Sequence, residues 1–214
     1  MFNRARAWIT RSGRITDAAA LQHFLATRSA FVSQKCTVEY CRARAGLFWS
    51  KLMLERPFLD AMEVCRWEAL AAVYADLAIL VEGHLRPGMR SPGQQVAAAD
   101  FLAQSMAEAL AAFAVPVHRA ETGWDETVRA LRDRLATAQL AEPCHPKEIG
   151  LISGPRLYEV MPMHTNMMTF DKELVVNSVR FQIMRVHEDL IRLWDPQAVL
   201  SDMLALASAP EQAG

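Results

Sequence analysis

The chain has 214 residues, 24 acidic against 23 basic side chains, and an apolar fraction of 52%. So much apolar content with so little charge imbalance excludes an intrinsically disordered chain. A net charge of −1 lacks the basic excess of a dedicated nucleic-acid binder, so no nucleic-acid partner is expected. The length suits one core, which makes 1–214 a single domain. Sparse glycine beside abundant alanine and leucine favours helices. The expected fold is all-α, a single irregular bundle of five or six helices.

Residues 1–15 form a basic N-terminal segment with four arginines and no acid before Asp17. At 100° per residue, Phe2, Ala5 and Ile9 share one side, and Arg4, Arg11 and Arg14 the other. Such a segment suits peripheral membrane contact, an Arg-rich transit peptide, or a tail packed by Trp8. It has no apolar signal core, and the expected location is cytoplasmic. Thr16 and Asp17 then supply an N-cap for a helix predicted to reach Glu55, with Gly46 as a kink. Leu21, Phe24, Leu25, Phe31, Val32, Cys36, Phe48 and Leu52 make up much of its apolar side. Its polar middle, Lys35, Glu39, Tyr40, Arg42 and Arg44, reads as a solvated face. The alternative is a groove in which Arg42 and Arg44 grip a small anion.

Pro57 restarts the chain at a first-turn position. The next helix is predicted to run to Glu82, and its second half is apolar nearly all round. That pattern assigns residues 58–82 to the centre of the bundle. Asp76 stands alone within AALAAVYADLAILV. An isolated buried carboxylate is costly, so it requires a counter-group. Tyr74 and Glu82 on the same helix extend a polar network around it.

A Gly- and Pro-rich break at 83–93 precedes an alanine-rich helix over 94–114. Thr122 and Asp125 predict a capping arrangement for a charged helix ending near Leu140, with Arg129, Arg132 and Asp133 in water. Residues 141–168 are expected to be an irregular connection rich in proline, glycine and methionine, with Glu148–Ile152 the nearest thing to a strand. Within it, MPMHTNMM sets Met161, Met163, His164, Met167 and Met168 close together. Thioethers and imidazole suit a soft copper(I) ion, but methionine also fills irregular gaps and adaptable contact surfaces. No metal is assigned here, and the segment is expected to act as a lid or partner surface if it acts at all.

Thr169 or Asp171 caps a long helix to Trp194, and Asp195-Pro196 starts the last one. Its core stripe is Val176, Val179, Ile183, Val186 and Leu190. Asn177, Arg180, Met184, His187 and Ile191 form a second stripe, from which Arg180 and His187 are candidates to neutralise Asp76.

Recognised chemistry is absent from the sequence. No ExxH pair offers di-iron ligands, no GxSxG elbow surrounds a serine, and no Walker or dinucleotide loop occurs. Cys36, Cys41, Cys65 and Cys144 contain no CxxC and read as buried thiols in a reducing compartment. No cofactor is expected. The run FLATRSAFVSQKCTVEYCRARAG resembles uncharacterised helical bacterial proteins, some described as esterases. ARAGLFW with RWEAL is similar to the ubiquinol–cytochrome c chaperone family of assembly factors. Neither resemblance transfers a functional residue.

The sequence therefore predicts a non-catalytic interaction or assembly protein with an unidentified protein partner, homodimeric through residual apolar helix stripes. The alternative is a small-ligand-binding bundle or an unrecognised enzyme (a hydrolase among the options), with Asp76, Tyr74, Arg180, His187, Arg42 and Arg44 as its polar residues.

Overall fold

The computed structural model describes residues 13–143 and 147–208. Within them the protein is all-α, and the one extended pairing is an isolated bridge between Ile15 and Trp194. The strand-like reading of Glu148–Ile152 does not hold. Most of the basic N-terminal segment, Cys144 and His145 lie outside the described residues.

Helix α1 (Ala18–Ala45) begins where the sequence predicts, with the Asp17 carboxylate accepting the Ala20 N–H at 2.7 Å. It ends earlier than expected, because Gly46 takes φ 51° and ψ −124°, a conformation that side chains with a Cβ avoid. The chain breaks there rather than kinking. It continues through a tight turn at Gly46–Phe48 and the short α2 (Trp49–Leu52). Phe48, predicted on the apolar side, is consequently exposed.

Helix α3 (Arg56–Leu85) carries Pro57 in its first turn. Ala71 through Ala78 are buried without interruption, as an all-round apolar surface requires. It packs against α1, α4 (Pro92–Ala111), α5 (Asp125–Ala138), α6 (Ser153–Glu159) and α8 (Pro196–Ser208). Ser91 caps α4 through the Gln94 N–H. Thr122 does not cap α5. Trp124 occupies that position without a side-chain hydrogen bond, and Asp125 and Glu126 instead place negative charge on the first turn. Helix α6 falls inside the stretch predicted to be irregular. Helix α7 (Lys172–Leu193) buries Val179, Ile183, Val186 and Leu190 as predicted, together with Val175 and Gln182. Among the described residues, no helix is long and apolar enough to cross a membrane.

Cys36, Cys41 and Cys65 are free, buried thiols. Burial pushes them up to about 11, 12 and 12 respectively, which leaves them inert as nucleophiles.

Helices α6 and α7 meet at Gly154, where an added Cβ would stand 2.9 Å from the Val176 Cα. Backbone cannot yield as a side-chain tip can. Gly154→Ala should therefore destabilise the fold by about 1–3 kcal/mol in urea unfolding. Gly150→Ala, which meets nothing within 4 Å, should leave the midpoint nearly unchanged.

Candidate functional site

Asp76 has no solvent exposure. Its carboxylate accepts the Ile152 N–H at 3.2 Å, the Ser153 N–H at 3.0 Å and the Ser153 hydroxyl. It thereby satisfies the first free amides of α6, the groups a helix cannot satisfy for itself. Arg134 of α5 brings Nη1 to 2.7 Å of Oδ1. It does so off the axis of a good hydrogen bond, so this contact acts chiefly by charge. The same guanidinium donates through Nη2 to the Gly150 carbonyl at 2.8 Å.

Two turns earlier on α3, Glu68 is also buried and gathers three donors. Arg119 reaches it at 2.6 and 2.7 Å, Arg156 at 2.8 Å and His118 at 3.0 Å. Burial alone would raise this carboxyl. The hydrogen bonds from Arg119, Arg156 and His118 outweigh it and hold Glu68 down at about 2. Arg119 also lies over the Trp124 ring, 4.8 Å from its centroid.

Between the two carboxylates lies an open cleft of about 560 Å³ bounded by α3, α5 and α6. Ala71, Ala72 and Ala75 floor it, Leu131, Ile152 and Pro155 wall it, and Arg119, Arg134 and Arg156 stand around it together with Glu68, Glu126 and Glu159. Glu68 and these alanines fall at i, i+3, i+4 and i+7, one face of a helix. That spacing is present in the sequence as a signal for the floor. The three arginines come from separate elements, so no local pattern announces them.

The residues singled out from sequence disperse. Asp76 does find a counter-charge, but in Arg134 rather than in Arg180 or His187. Arg180 donates to the carbonyls of Lys147 at 2.7 Å and Ile149 at 3.4 Å, steadying the segment that leads to Ser153. His187 places Nε2 at 2.8 Å from Nε2 of His84, eight positions beyond Asp76 and thus about 12 Å along the helix. Neither Arg180 nor His187 lines the cleft. Tyr74 is buried with its hydroxyl near Ser105 but outside hydrogen-bond geometry, and burial raises its pKa. Glu82 is held apart from Asp76 by Arg86 and by Gln139 at 3.2 Å. Arg42 is exposed, whereas Arg44 pairs with Asp171 and so does not form an anion grip with it. Tyr40 donates to the same Asp171 at 2.6 Å. Burial, then that acceptor, push the Tyr40 phenol up to about 12.

The methionine segment divides. Met161 and Met168 are buried, with the Cys41 thiol donating to the Met161 sulfur at 3.6 Å. Met163 packs partly against the core, which leaves only His164 and Met167 outward-facing. Met161, Met163 and Met168 therefore fill core, as methionine in an irregular gap does, while the turn at 165–167 buries none of its own residues. Among the described residues, no group of three His, Cys, Asp or Glu side chains is placed to hold a metal ion.

No family model, curated protein or solved structure matches the chain.

Two outcomes follow from the paired carboxylates. Asp76→Ala should cost about 3–5 kcal/mol in urea unfolding by stranding Arg134 and the α6 amides. Arg134→Ala added to it should cost much less than its separate effect, because the two share one interaction. For Glu68, the folded carboxyl is depressed from 4.5 to about 2, so its contribution is full above pH 4.5 and fades as pH falls towards 2. Wild type should lose up to about 3 kcal/mol relative to Glu68→Gln across that window, read from paired pH-dependent melts.

Proposed function

We propose that the protein is a non-catalytic binding protein whose α3/α5/α6 cleft takes a small molecule with an apolar body and a carboxylate. The observation that carries this reading is the cleft itself. Its floor is reduced to alanine, while guanidinium groups from three separate elements face its rim. A volume of about 560 Å³ falls within the range of small-ligand pockets. Arg156 is shared between Glu68 and Glu159, at 3.3 Å from the latter, whereas Arg119 keeps N–H groups beyond those bound to Glu68, since a guanidinium has several donors in a fixed fork.

The same geometry favours binding over acid–base chemistry. Glu68 at about 2 is a poor proton donor or acceptor near neutral pH. The Ser153 hydroxyl donates to buried Asp76 and is itself buried, so it does not face the cleft as a nucleophile. The interaction or assembly role expected from sequence is the second reading, favoured by the large apolar side chains left exposed on α7 and beyond α1.

Octanoate serves as the probe. It should raise the melting temperature with the logarithm of its concentration, giving about 2.7 kcal/mol of stabilisation at a hundredfold excess over its dissociation constant. Ala130→Trp, at an exposed position on the cleft wall, should abolish that shift without unfolding the protein, and Arg156→Ala should weaken it. An octanoate response that survives Ala130→Trp, or no response at all, would overturn the assignment.

A further inference from the structure

We infer that the outer face of α1 and α7 is the interface for a second copy of this chain. These helices run antiparallel, tied at one end by Arg28–Asp189 at 3.0 Å and at the other by Tyr40 and Arg44 to Asp171. On α7, Leu174, Asn177 and Phe181 fall within roughly 60° of one another at the helical repeat, and Phe170 stands exposed just before the helix. Phe31 lies on α1. Leu47 and Phe48 follow its end, at the end of the helix pair where Arg44 meets Asp171. Phe31, at 41%, is the least exposed of these apolar residues, and Leu47, at 101%, the most.

Two arguments point to a copy of the same chain as the occupant. The first is area. At ~150–250 Å² per aromatic side chain, the four phenylalanines and two leucines present roughly 800 Å², one partner's share of a standard interface.

The second is self-complementarity. Leu174 and Phe181 on α7 stand about 10 Å apart at the helical rise, placed symmetrically about Asn177 and Ser178. One two-fold axis passing beside Asn177, perpendicular to the helix, therefore pairs α7 with α7 of the second copy. It sets Leu174 against Phe181 of the second copy and brings Phe170, just before the helix, towards Arg185. Arg185 already lies over the Phe181 ring at 6.0 Å, so it is placed to receive a second aromatic ring. Asn177, close to the axis, meets a polar neighbour, its own copy or Ser178. The polar interruptions at Asn177 and Arg185 suit a protein face better than the acyl region of a membrane.

The register makes the test specific. In a Cys144→Ser background, Asn177→Cys should give a disulfide-linked dimer under mild oxidation. Ile191→Cys, also exposed on α7 but far from the axis, should not. Sedimentation from about 1 to about 200 µM should show a dimer that Phe181→Glu weakens at least about tenfold, with helical content unchanged. A monomer throughout that range overturns the proposal, and so does a dimer that Ile191→Cys crosslinks as well as Asn177→Cys. Vesicle binding by a monomer that Phe181→Glu abolishes would assign the face to a membrane instead and equally overturn it.

Discussion

One carboxylate removed from water governs this architecture. Asp76 sits where α3 is buried on every side, and a charge in that place requires donors close at hand. They come from two directions: a guanidinium on α5, and the two backbone amides and hydroxyl at the start of α6. Helix α6 has seven residues, too few to be stable alone. Its position depends on the acid that satisfies its first amides and on the close contact of Gly154 with α7.

Glu68 repeats the device on the same helix. It draws in the 117–119 turn through His118 and Arg119, and the middle of α6 through Arg156. Between these two attachment points α3 offers only alanine at Ala71, Ala72 and Ala75. The walls are thus fixed by charge at both ends, while the floor has no side chains long enough to fill the space between them. Such a cleft is a consequence of where the ions are anchored. The polar cost falls on acids that each face a guanidinium, the condition under which buried ions are tolerated.

Much of the fold was legible in the chain because its signals are local. The Asp17 cap, Pro57 in a first turn, Ser91-Pro92 and the Asp195 cap follow from short-range backbone chemistry. The need for a counter-group at Asp76 followed from its apolar neighbours alone. What escaped depends on distance in sequence. Arg134 is nearly sixty positions from Asp76, on a helix whose Arg129, Arg132 and Asp133 look equally solvated. Periodicity assigned Arg180 and His187 to one stripe of α7, but which face of α7 turns towards α3 is a matter of packing. Helix α6 was hidden because proline and glycine read as breakers, whereas Pro155 tolerates a first turn and Gly154 is the contact residue. The methionines misled for a similar reason: composition shows that they are adaptable, not which of them point inward.

The cleft and the α1/α7 face are linked by the short segment before α6. Arg134 holds it from the α5 side through the Gly150 carbonyl, and Arg180 holds it from α7 through those of Lys147 and Ile149. Its far end delivers Ile152 and Ser153 to Asp76. One stretch of backbone is therefore fixed by three helices, and on the far side of α7 from that attachment stand Leu174 and Phe181. Local stability follows the number of buried and ion-paired contacts. The same few arginines that satisfy buried acids and free carbonyls also set the spacing between the helices that carry them.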